Sequence, residues 1–201
     1  MSTAAAPNAE AQAVLDCWFL PPDHKNHCQP RREWFYKDPA FDDMLRARFE
    51  PLVARGLAGG LLEWERSPLG RLARVLVLDQ FPRNLYRGEA RAYAGDPLAL
   101  AAAQRALHAD EDRELAPVQR HFLYMPYQHS ENIAMQEVSV ALFLALLDRF
   151  PTQDMASAYD YALRHEAVVR RFGRFPHRNE ALGRVSTAEE LEFLSQPGSH
   201  F

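Results

Sequence analysis

Three dipeptides, Asp38-Pro39, Ser67-Pro68 and Asp96-Pro97, each set a helix-capping residue directly before a proline. Asp and Ser side chains accept hydrogen bonds from the unpaired N–H groups of a first helical turn. Proline suits the first helical position because the N–H it lacks would have no partner there anyway. Apolar residues follow each pair at helical spacing: Phe41, Leu45, Phe49 and Leu52, then Leu69, Leu72 and Leu76, then Leu98, Ala101 and Leu107. Thr187 and Glu190 form a capping box ahead of Leu191 and Leu194. An amphipathic start runs from about Ala9 to Phe19. Two long helices are expected from about Ser130 to Arg149 and from about Gln153 to Phe172, the second closed by Gly173. No stretch shows sustained period-two alternation, so no sheet is expected. The pattern predicts an all-α fold of stacked antiparallel helices.

Composition agrees with that reading and narrows it. At 201 residues, 47% hydrophobic and 25% charged, the chain suits one soluble domain over 9–201 behind a disordered tail at 1–8. A net charge of −4 argues against binding to nucleic acid through phosphate contacts. No apolar run approaches the roughly 20 residues of a membrane span, and the N-terminal stretch lacks the basic end and apolar core of a secretory leader. Cys17 and Cys28 are expected as free thiols in a reduced cytoplasm, Cys28 the more reactive because it lies in the polar connector 20–32. All but Lys25 and Lys37 of the 23 basic residues are arginines. Arginine presents a planar, permanently charged fork to carboxylate or phosphate.

A short motif occurs twice. Gln80-Phe81-Pro82-Arg83-Asn84 returns as Arg174-Phe175-Pro176-His177-Arg178-Asn179, with one inserted histidine. Each copy follows a strongly apolar helix, and proline is expected to stop each helix there. The motif belongs to a longer set: Trp18-Phe19; Trp34-Phe35 with Asp38, Phe41 and Asp42; Trp64 with Pro68, Gly70 and Leu72; Leu78-Asp79 before the first copy; Phe122-Leu123-Tyr124-Met125-Pro126; His129-Ser130-Glu131; and Leu182-Gly183-Arg184 with Thr187 and Phe193-Leu194. Along nearly the whole chain these motifs resemble a bacterial family catalogued as domain of unknown function 924. The resemblance implies a tetratricopeptide-like helical fold and no assigned reaction. The connector 20–32 is longer than the resemblance leads one to expect, and Arg74 stands where it leads one to expect an apolar residue.

Chemistry concentrates around these motifs. Asp79 continues the Leu69, Leu72, Leu76 stripe, so its carboxylate is expected on a buried face at a helix end, where an unpaired charge is costly. Arg83, Arg87, Arg174 and Arg178 are its candidate partners. It is either a salt-bridge clamp between two loops or the acid of a polar pocket. Tyr124, His129, Glu131, Asn132 and Gln136 form a second group; with a helix starting near His129, residues 129, 132 and 136 would share one face, while Ser130 could instead serve as that helix's cap. His177, flanked by arginines, would stay neutral and suit a general base; the alternative is that it only widens the turn. His165 is expected to be a hydrogen-bonded core residue. No metal motif, glycine-rich phosphate loop or nucleophile elbow occurs, and no cofactor is expected.

Two functions follow. One is a small-molecule site with catalytic capacity for an anionic ligand bearing carboxylate or phosphate. Asp79, His129, Glu131 and His177 would be its reactive groups, and Gln80, Arg83, Asn84, Arg87, Tyr124, Gln136, Arg174, Arg178 and Asn179 its binding groups. The other is a peptide- or protein-binding helical module whose polar motifs are purely structural. The two motif copies are expected to meet and share the Asp79 carboxylate.

Overall fold

A computed structural model describes residues 6–199. The expected tail at 1–8 falls mostly on residues 1–5, outside the described residues. Nine α-helices run α1 Ala9–Phe19, α2 Pro39–Leu57, α3 Pro68–Val75, α4 Phe81–Leu85, α5 Asp96–His108, α6 Pro117–Gln128, α7 Ile133–Arg149, α8 Gln153–Phe172 and α9 Ala188–Leu194 among the described residues, with no strand. No described helix is long and apolar enough to cross a membrane.

The caps account for most helix starts. Asn8 accepts from the Ala11 N–H, Asp38 from the Ala40 and Phe41 N–H groups, Ser67 from Gly70, and Thr187 from Glu190, which returns its carboxylate to the Thr187 N–H. Gly173 ends α8 with φ 69°, in the left-handed region where glycine is least strained.

Several expectations need correction. The chain does not leave the helix at Pro82: α3 passes through a π-helical turn, Leu76–Gln80, straight into α4. The reason is local. Proline cannot donate to the carbonyl four residues back, and a π turn shifts the hydrogen-bond register so that this carbonyl, Leu78 O, is turned aside. It lies 2.0 Å from where a Cβ on Gly95 would sit, so only glycine lets the start of α5 come this close. Asp96 is the first residue of α5 and makes no cap bond. The helix after His129 begins at Ile133 with Asn132 as its cap, so Ser130 is not the cap and His129 instead closes α6. On α5 the buried face is Ala99, Ala102, Ala103 and Ala106 rather than Leu98, Ala101 and Leu107, because small side chains let α3 pack closely. Leu191 is 58% exposed; α9 turns Glu190 inward and packs Phe193 on Phe172.

The core centres on Trp18, whose ring meets Trp34, Phe41, Phe81 and Phe122 within 6.2 Å. Arg74 is 1% exposed and is held by Glu65, with Arg71 and Arg105 on the same carboxylate. This ion-pair cluster explains how an arginine occupies an apolar helix face. Both cysteines are free. Burial pushes the Cys28 thiol up to about 11, so its place in the connector does not make it a ready thiolate.

Candidate functional site

The π turn places Asp79 with its side chain fully buried, facing the end of α6. Its Oδ1 accepts from His129 Nδ1 at 2.7 Å and lies 3.3 Å from Arg83 Nη1, while Oδ2 accepts from Gln80 Nε2 at 2.6 Å. Burial alone would raise the Asp79 carboxyl; the Arg83 charge, His129 and the Gln80 bond outweigh it and hold the group below the ordinary carboxylate range. Burial, reinforced by the Arg83 charge, lowers the His129 imidazole below its usual value despite the Asp79 contact. The pair at neutral pH is therefore an ionised Asp79 accepting from the Nδ1–H of a neutral His129. The other ring nitrogen, Nε2, has no hydrogen-bond partner among the described residues. His129 lines a cleft of about 610 Å3 whose wall includes Tyr93, Asp96, Leu100, Glu131, Met135 and Arg178.

The two motif copies do meet, but the carboxylate they share is Asp96. Arg83 takes both its oxygens at 2.8 and 3.0 Å, and Arg178 Nη1 takes Oδ2 at 3.1 Å. Arg178 also donates to the His129 carbonyl at 3.0 Å and stacks on the rings of Tyr93 and Phe175, so it fixes the backbone that carries the imidazole. Its side chain is only 7% exposed, and its Nε has no hydrogen-bond partner among the described residues. Glu131, on the cleft rim, accepts from the Phe175 N–H and from both ends of the Arg184 fork. Burial would raise the Glu131 carboxyl, but the Arg184 bond and the Phe175 N–H lower it. Asp79, Gln80, Arg83, His129 and Arg178 therefore form one cluster joined through Asp96 and the His129 carbonyl, with the Glu131–Arg184 pair beside it.

Other candidate residues stand elsewhere. Asn84 and Arg87 both bind Asp42 on α2, because the helix continues past Pro82 and turns them that way. Tyr124 donates to Asp112 at 2.6 Å in a separate cleft. Arg174 and Asn179 bind Glu190, with Asn179 also taking Arg184 Nε, so they fasten α9. His177 packs against Phe175 and does not line the large cleft. Gln136 is fully buried, donating to the Gln128 and Ser130 carbonyls, which braces the turn carrying His129. His165 is buried and lies 2.8 Å from the Tyr161 carbonyl, as expected of a core histidine.

Sequence reasoning missed Asp96, Tyr93 and Arg184 as members of the cluster. Asp96 was hidden by its plausible role as a cap before Pro97. Arg184 carried a signal only as part of the Leu182-Gly183-Arg184 motif. Among the described residues no group of three or more His, Cys, Asp or Glu is arranged to hold a metal ion.

Comparison with known proteins places this geometry. No curated protein is similar enough to match. A solved structure of a protein of unknown function from Agrobacterium tumefaciens superposes with a TM-score of 0.80 at 36% identity, covering 93% of this chain and 97% of that one. The family described as bacterial protein of unknown function (DUF924) matches residues 14–198. With that span and that neighbour, the chain belongs to the DUF924 family.

Proposed function

We propose that the large cleft binds a small molecule and that Asp79 and His129 act there as orienting acid and general base. One observation carries the reading: a fully buried carboxylate holds Nδ1–H of a neutral imidazole whose Nε2 is unpartnered among the described residues, and His129 lines a 610 Å3 cleft. That arrangement leaves the Nε2 lone pair available to accept a proton, and it fixes ring orientation and tautomer in advance. Ser130 Oγ accepts from the Asn132 N–H and is not bonded to His129, so the proton would come from a bound water or from the ligand itself. The volume falls within the range of small-molecule sites.

The wall argues for the ligand's character. Ala90, Tyr93, Pro97, Leu100 and Met135 supply an apolar surface. An anion, the class suggested by the arginine-rich motifs, would find Arg83 and Arg178 already engaged by Asp96 and Arg184 by Glu131. A largely apolar ligand with one polar end directed at His129 fits this balance better. The gathering of the polar groups at one cleft also supports a small molecule over a peptide lying along open helix faces.

The test is a thermal-shift screen of uncharged and zwitterionic metabolites against the wild-type chain and Leu100→Trp, which fills the cleft. Compounds that stabilise the wild type and lose their effect in Leu100→Trp support the site. Stabilisation that persists unchanged in the filled variant places binding elsewhere and overturns it.

A further inference from the structure

A second, smaller cleft of about 240 Å3 lies between the 111–114 turn, α6 and the C-terminal half of α7. Its charged lining is Asp112, Arg113, Arg120 and Arg149, three cations against one acid. The acid is already occupied by Tyr124, whose buried hydroxyl donates to Asp112 at 2.6 Å. The cations are not correspondingly satisfied. Arg149 makes no ion pair or hydrogen bond among the described residues, and its guanidinium lies 5.6 Å from the Phe150 ring. Arg120 spends Nε and one terminal nitrogen on the Leu115 and Arg113 carbonyls, leaving Nη1 unbonded, and lies 5.7 Å from the same Phe150 ring. Among the described residues Arg113 pairs only with Asp110, and both are well exposed (73% and 65%), so that pair competes weakly for the guanidinium.

The C-terminal carbonyls of α7 favour a nearby cation, which accounts for one arginine there. They do not account for two guanidinium groups against one ring with a third at the rim. Like charges gathered around one recess favour an anion between them, even with Arg149 and Arg113 exposed and Arg120 half-buried. With Asp112 in the lining and Asp110 paired to Arg113, the excess is one positive charge.

We propose that this cleft binds an oxyanion of the phosphate type, with Arg149 and Arg120 as the principal donors and Arg113 at the rim. The Arg149 fork and the unbonded Arg120 Nη1 supply charged N–H groups of the kind a phosphate accepts. Tyr124 sets one wall and, through Asp112, limits the recess to one anionic group. The volume leaves room for a phosphate with a small organic substituent and excludes a nucleotide-sized ligand. The anion expected from this arginine-rich chain thus has unclaimed cations here and not at the Asp79 cluster. This inference does not depend on the role given to His129.

The experiment is calorimetric titration of the full chain with inorganic phosphate and with glycerol 3-phosphate, ionic strength held constant and sodium chloride as the control. Saturable binding of both is expected. The tighter of the two probes distinguishes free phosphate from a phosphorylated small molecule as the source. Arg149→Gln, an exposed position whose replacement leaves the fold intact, should weaken binding by roughly tenfold. Arg149→Lys should recover part of it, and Leu100→Trp in the other cleft should change nothing. Heats no larger than those of chloride, or affinity unchanged in Arg149→Gln, would overturn the proposal. So would loss of binding in Leu100→Trp, because it would put the anion in the other cleft.

Discussion

Asp79 shows how much a single side chain can dictate. A carboxylate with no exposure must have its lone pairs occupied, and His129, Gln80 and Arg83 occupy them. The need for a partner is legible in the sequence, because Asp79 falls on an apolar stripe. The partner's identity is not: His129 lies fifty residues away, and its approach is set by how α6 packs on the π turn. The same holds for Arg178, whose partner is Asp96 and not Asp79. Arg178→Ala removes a buried cation from Asp96 and a donor from the His129 carbonyl. It should lower stability by about 3–5 kcal/mol in urea unfolding. A loss below about 1 kcal/mol would mean that the cluster is solvated rather than clamped. Asp79→Asn is nearly isosteric and should cost less, about 1–3 kcal/mol, while releasing the imbalance of the His129 tautomer.

At the level of elements, the helices were readable because caps, prolines and apolar spacing agree with one another. The exceptions have physical causes. Pro82 looks like a stop, but a π turn removes the clash with the carbonyl four residues back and carries the helix onward. That continuation sends Asn84 and Arg87 to Asp42 and away from the cleft. His129 and Gln136 looked like one helix face and instead belong to two helices joined by a short turn, although Gln136 still braces His129 across it. The α5 stripe is hard to read from the sequence because alanine gives a weak hydrophobic signal while permitting the closest packing. Gly95 is the junction of these features. A methyl group there meets the Leu78 carbonyl, so Gly95→Ala must push α5 and Asp96 away from Arg83 and Arg178. The expected loss is about 1–3 kcal/mol, with weakened ligand stabilisation in the thermal-shift assay. Unchanged stability would show that the approach of α5 is looser than described.

For the whole molecule, the buried His129 and His165 and the half-buried His121 make folding sensitive to acid. Burial lowers His129, His165 and His121 below the ordinary imidazole value, His121 to about 4. The unfolded chain therefore takes up protons that the folded chain refuses once pH falls below about 6.5, and stability is lost from there downward. Each histidine contributes a slope of up to about 1.4 kcal/mol per pH unit until its folded value is reached. Asp79 acts in the same direction at lower pH, since its carboxyl is also depressed in the folded chain. The urea midpoint should fall steadily from pH 7 to pH 5, and a flat profile over that interval would contradict the burial of these rings.

The central claim is that His129 presents an unprotonated Nε2 to the cleft. Nitrogen-15 NMR of the histidine rings, assigned by comparison with His129→Gln, reads this directly. The account predicts that at pH 7 His129 is neutral, carries its proton on Nδ1 and titrates below the ordinary imidazole value. In Asp79→Asn, that single tautomer should give way to a mixture. A His129 that is doubly protonated at pH 7, or neutral with its proton on Nε2, would contradict the account.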